Sequence, residues 1–215
     1  MDDFQHLLGN LLTLSEVTAA VVGIIKFNKF KNNYWKWFIF YLIFIAISEL
    51  TCTYVLCDFP KFRTYYYDFF VIPLEFVTLY WLYSFKSLGR KKIFWACCVT
   101  YILSLFPYFV FEGSTVINSF NYIIGVFLLA IMIILEFDKQ MKTDDILKFK
   151  ENMMFYINIG VGLFYVGTLP FFAFNGLIWK DQVIWSNYYI FFMMTNILMY
   201  TLFSIALLWG KPNTY

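Results

Sequence analysis

The chain is poor in charge: only 14% of its 215 residues are Asp, Glu, Lys or Arg, where soluble domains carry about 25%. It has one histidine, His6, which cannot build a metal site by itself. Its four cysteines show no metal spacing. Cys52 and Cys57 stand five apart on one expected helix, and Cys97 and Cys98 are adjacent, a poor geometry for a disulfide. They read as small buried hydrophobes. No P-loop, GxSxG, HExxH or zinc pattern occurs, and neither does an internal repeat or a low-complexity tract. The start, MDDFQHLLGNLL, lacks the basic flank and small-residue cleavage site of a signal peptide, so it reads as the mature end.

What the chain has in excess is apolar surface. Hydrophobic residues make up 61%, with 28 Phe and 17 Tyr, and mean hydropathy is +0.67. A soluble protein of this size has too little interior for so much apolar area, and the surplus must face lipid. Spanning helices need about 20 mostly apolar residues. Seven stretches fit, at 7–27, 34–56, 69–85, 93–111, 120–137, 153–174 and 187–209, and the connections are too short to fold alone. The expected fold is all-α, one domain over 1–215, an integral membrane bundle of seven transmembrane helices.

Basic residues set the orientation. Lys26, Lys29, Lys31 and Lys36 mark the first connection, Lys86, Arg90, Lys91 and Lys92 the third, Lys139, Lys142, Lys148 and Lys150 the fifth, and Lys211 the tail. Only Lys61, Arg63 and Lys180 fall on the other side. The positive-inside rule then predicts the N-terminus outside and the C-terminus in the cytoplasm, a multi-pass protein of the cell membrane, here a bacterial inner membrane. Trp35, Trp37, Trp179, Trp185 and Trp209 sit near span ends, as interfacial belts require. The lysines read as topology markers and lipid-headgroup contacts, and give no case for nucleic acid.

Against this background four polar residues stand out. Glu16, Glu49, Glu75 and Asn196 lie at membrane depth on the first, second, third and seventh spans, and no Lys or Arg stands near Glu49 or Glu75 in the sequence. An ionisable group there costs several kcal/mol unless it faces the bundle interior (roughly 2.5–3.5 kcal/mol for Asp on insertion scales). Counting from span ends puts all four in the outer-to-middle layer, where helices one, two, three and seven of a closed ring share a cavity. Thr18, Ser48, Thr51, Thr53, Tyr54, Thr78, Thr168 and Thr195 are the hydroxyls expected to donate to these acids. Pro107 and Pro170 fall inside spans and are the expected hinges that splay the outer half. Glu136 reads as interfacial, Asn158 as bonded to a neighbouring helix, and Gly160 with Gly167 as a small-residue packing stripe.

The last span contains no lysine, which excludes a retinal Schiff base and rhodopsin-type photochemistry. The D/E-R-Y, N-P-x-x-Y and PQ signatures of other seven-helix families are also absent. IPLEFVTLYWLYSF and LPFFAFN with TNILMYTLFSIALLW resemble the seven-helix sensor modules of bacterial histidine kinases in helix count, topology and a few polar positions. In those modules the last helix leads into a kinase, whereas here GKPNTY follows. The resemblance implies a sensor or receptor that binds a small or lipidic ligand and passes its signal to a separate cytoplasmic protein. A lipid-processing enzyme using paired carboxylates, similar to the lysoplasmalogenase-like family but without its aspartate-rich motifs, is the alternative. A small transporter or an accessory of a defence or export operon is the third. Catalytic residues are left unassigned, and no cofactor or metal is expected.

Overall fold

In lipid a backbone can satisfy its N–H and C=O groups only within itself, so apolar runs of this length become helices. A computed structural model describes residues 3–107, 115–143, 147, 149–174, 178 and 180–211. The principal helices are α1 (Asp3–Phe30), α2 (Trp35–Tyr54), α3 (Pro60–Ser87), α4 (Lys91–Leu103), α5 (Thr115–Lys142), α6 (Met153–Ala173) and α7 (Gln182–Trp209). Within α1 to α3 and α5 to α7, six segments are long and apolar enough to cross a membrane. The protein is a helical, multi-pass membrane protein.

Several helices outrun their apolar middles, because hydropathy marks the part in lipid while the helix continues through the interface. α3 begins at Pro60, nine residues before the expected span, with proline in the first turn where its missing N–H costs nothing. α7 begins at Gln182, where the Asp181 carboxylate accepts from the N–H groups of Val183 and Ile184 at 2.9 and 3.1 Å. α4 is the exception. Its 13 residues span about 20 Å, less than the roughly 30 Å hydrocarbon core. It stops at a polar knot: Ser104 Oγ lies 2.6 Å from both Tyr101 O and Asn121 Oδ1, and Asn121 Nδ2 donates to Tyr101 Oη at 3.2 Å. Of the expected span 93–111, residues 108–111 lie outside the described residues.

The helices close into a ring. α1 packs against both α2 and α7, α7 against α6, α6 against α5, and α4 lies against α3 and α5. Leu14 and Ile25 on α1, Ile47 on α2, Trp95 on α4 and Ile134 on α5 are exposed on the outer face, the surface offered to lipid. At the centre Phe76 is fully buried, its ring 5.0–6.0 Å from those of Tyr80, Tyr101, Tyr122 and Tyr165. Gly125 of α5 lets that ring approach: a Cβ there would stand 2.7 Å from it, and Gly125 O accepts from Tyr80 Oη at 2.8 Å.

The lysine-bearing segments gather at one end of the ring. Lys29 Nζ donates to Gly210 O at 2.6 Å, Lys139 Nζ to Ser87 O at 2.8 Å, and Lys211 pairs with Glu151 at 2.7 Å. Lys86 lies over the rings of Tyr34 and Trp81. Connections far apart in the chain but alike in charge therefore share one face of the bundle.

Three expectations are corrected here. Trp35 is fully buried against Tyr34 and Phe38 and takes no part in a belt, while Trp37 and Trp209 are exposed and Trp179 lies outside the described residues. Glu136 is buried, accepting from Gln140 Nε2 at 3.2 Å with Lys139 at 3.9 Å. Asn158 is fully buried, yet neither its Oδ1 nor its Nδ2 has a hydrogen-bond partner among the described residues. The glycine stripe does lie against α7: a Cβ on Gly160 would meet Met199 at 3.3 Å, and one on Gly167 the ring of Phe191 at 3.4 Å.

Candidate functional site: an acidic, aromatic cavity

Two helices of the ring carry proline in mid-course, and each is preceded by a widened turn. Pro73 of α3 can donate no N–H and its ring crowds the turn before it. The chain answers with a π-helical turn over Tyr67–Val71, closed by Ile72 N–H to Tyr67 O. Pro170 of α6 follows a second such turn, Gly162–Val166. Each turn changes which side chains face inward, and both bring aromatic residues to the same space.

That space is a cavity of about 280 Å³ in the half of the bundle away from the lysines. Glu16 of α1, Glu49 of α2, Glu75 of α3 and Asn196 of α7 all line it. The four residues picked out by depth alone thus come together. Pro170 stands two residues before Phe172, which also lines the cavity. Pro107 is elsewhere, beyond the turn at Ser104–Leu105 that ends α4, and the chain after it, 108–114, lies outside the described residues. The rest of the wall is largely aromatic: Tyr67, Tyr122, Phe164, Tyr165, Phe172, Phe192 and Tyr200. Tyr122 and Phe172 approach to 3.8 Å between centroids, and Phe164 and Phe192 to 5.2 Å. No Lys, Arg or His is among the described wall residues.

Two of the three acids are held by phenols. Tyr41 Oη donates to Glu75 Oε1 at 2.7 Å, and Tyr67 Oη donates to Glu49 Oε2. Ser48 Oγ and Tyr66 Oη share a further bond of 3.0 Å. All three contacts join α2 to α3. Most of the expected hydroxyl donors do something else. Thr18, Thr51, Thr168 and Thr195 bond carbonyls of their own helices, four residues back, as threonine does when no better acceptor is in reach. Tyr54 is exposed.

The phenol partners were missed in the sequence, although a signal existed. Tyr41 with Glu75 and Tyr67 with Glu49 are both centred on residue 58, the tip of the α2–α3 hairpin. In an antiparallel helix pair, residues equidistant from the turn lie at one depth.

The third acid is unlike the others. Glu16 is only 5% exposed, and its Oε2 has no hydrogen-bond partner among the described residues. The same holds for Asn196 Oδ1 on the same wall, whereas the hydroxyls of Tyr165 and Tyr122 lie within hydrogen-bonding reach of Glu75 and Thr168. Each buried polar group left unsatisfied costs about 1–3 kcal/mol. A wall that leaves two such atoms on one space is suited to a guest that hydrogen-bonds to them.

On the lipid side of the same α2–α3 seam runs an open apolar groove of about 490 Å³, lined by Phe40, Tyr41, Phe44, Leu74, Val77 and Trp81 among others. Tyr41 belongs to both places: its ring borders the groove and its hydroxyl holds a cavity acid. No protein-family model, curated protein or solved structure matches the chain.

Proposed function

We propose that the protein is a sensor- or receptor-type membrane module that binds a small ligand in this cavity and passes the signal to a separate protein on the cytoplasmic side. The observation that carries the reading is the unsatisfied polar wall: Glu16 Oε2 and Asn196 Oδ1 face one cavity without hydrogen-bond partners among the described residues. A purely structural polar cluster would be expected to satisfy itself. Widened π turns, found often at functional sites, border the same cavity on two sides.

The proposed topology has seven crossings, with the N-terminus outside, the C-terminus in the cytoplasm and the cavity in the outer half. The bias of thirteen basic residues to three supports it, as does the meeting of the lysine-bearing segments at one end. α4 fills the fourth crossing, since α3 ends and α5 returns at the lysine end. The likeness to histidine-kinase sensor modules agrees with this use of an outer cavity and an inner signalling face.

The test is photocrosslinking in cells, with a benzophenone amino acid at Ile72 or Phe192 and mass analysis of the purified protein. A discrete small-molecule adduct is expected at these wall positions and not at lipid-facing Ile134. Equal labelling at all three positions by bulk lipid, or no adduct at the wall, overturns the reading.

A further inference from the structure

The wall has acceptors and rings but no cation. Glu16, Glu49 and Glu75 crowd a space of about 280 Å³, and no described wall residue carries a positive charge. The partners Glu49 and Glu75 do have are neutral phenols, which leave any charge on the carboxylates uncompensated. Glu16, only 5% exposed, keeps one oxygen unpartnered, and Asn196 Oδ1 is a second unpartnered acceptor on the same wall. Acceptors need donors. Aromatic faces, which make up much of the remaining wall, attract cations through their negative quadrupole, most strongly where water is excluded.

We propose that the cavity takes an organic cation: a small amine whose ammonium N–H groups are received by Glu16, Glu49 and Asn196, with its carbon skeleton against the Tyr and Phe rings. This rests on the reading of the cavity as a ligand site and names the ligand class. A protonated primary or secondary amine fits better than an alcohol, because it supplies several donors together with the missing charge. It fits better than a quaternary ammonium, which has no N–H for the unpartnered acceptors. Cavities of about 150 Å³ hold benzene, so this one has room for roughly ten heavy atoms.

The test compares 2-phenylethylamine with 2-phenylethanol, which share a skeleton and differ in charge. Both are titrated by thermal shift against the protein in phosphatidylcholine nanodiscs, whose lipid carries no net charge to concentrate the amine. The amine should bind at least tenfold more tightly than the alcohol. Glu16→Gln and Glu49→Gln should each weaken the amine at least fivefold and leave the alcohol within twofold. Glu16→Asp, which restores the charge, should recover amine binding, so a folding defect in the Gln variant does not pass for the effect. Tyr165→Trp and Leu12→Phe, which fill the cavity, should abolish the binding of both probes. Equal affinities for the two probes, lost in the filled variants, overturn the cation and leave the ligand cavity standing. No binding of either probe, or binding unchanged in the filled variants, overturns both.

Discussion

Tyr41 of α2 donates its phenol proton to Glu75 of α3 across 2.7 Å, and by that one bond a lipid-facing groove and an inner acidic cavity share a side chain. Direct packing between α2 and α3 is sparse, so polar contacts of this kind hold the seam. Removing the hydroxyl should loosen it. Tyr41→Phe is expected to lower stability by about 0.6 kcal/mol, the average for hydrogen bonds between membrane helices, and by no more than about 1.7 kcal/mol. Unfolding in detergent measures this, and an unchanged midpoint would show that the bond does not hold the seam.

Glu49→Gln and Glu75→Gln separate binding from support. Glutamine keeps the size and can still accept from Tyr67 or Tyr41 while losing the charge and the acid proton. Both variants should fold with near-normal thermal midpoints and lose ligand response. Lower stability with intact response in both would return these acids to a structural role.

Cys57 reports topology. It is exposed in the connection after α2, whereas Cys52, Cys97 and Cys98 are buried. With the N-terminus outside, a membrane-impermeant maleimide added to spheroplasts should label Cys57, and Cys57→Ser should remove the signal. Fusions at 86–92 and 138–152 should report the cytoplasm. Protection of Cys57 in intact spheroplasts, with labelling only after lysis, would invert the proposed orientation.

Gly125 sets how closely α5 meets α3. Even a methyl at this position would press within 3 Å of a Phe76 ring already hemmed in by Tyr101, Tyr122 and Tyr165. Gly125→Leu should therefore destabilise by about 1–3 kcal/mol, as overpacking does in well-filled cores. A wild-type midpoint would mean that the ring has free space to move.

Asn158 makes the opposite prediction. It is fully buried, and neither amide atom is bonded among the described residues. An apolar group of similar shape removes that unmet demand, so Asn158→Leu should leave stability unchanged or raise it by about 1 kcal/mol. A clear loss would reveal a partner for the amide.

The sequence by itself determined the solvent of this protein, its helices and the segregation of its basic residues. These follow from hydropathy and charge, which each stretch of chain expresses against lipid or water without reference to other stretches. Depth was legible too. Counting along each span placed Glu16, Glu49, Glu75 and Asn196 in one layer, and they line one cavity. Rotation about a helix axis was not legible, because it depends on what lies across the gap. Only the packed ring decided that Trp35 turns inward, that Glu136 is buried beside Gln140, and that the threonines bond their own helices while Tyr41 and Tyr67 reach the acids. Pro73 and Pro170 were visible as letters, but the widened turns before them exist only where neighbouring helices leave room for the bulge. The unpartnered oxygen of Glu16 is of the same kind. An unmet hydrogen bond is a property of everything around an atom, and the chain acquires it only on closing the ring.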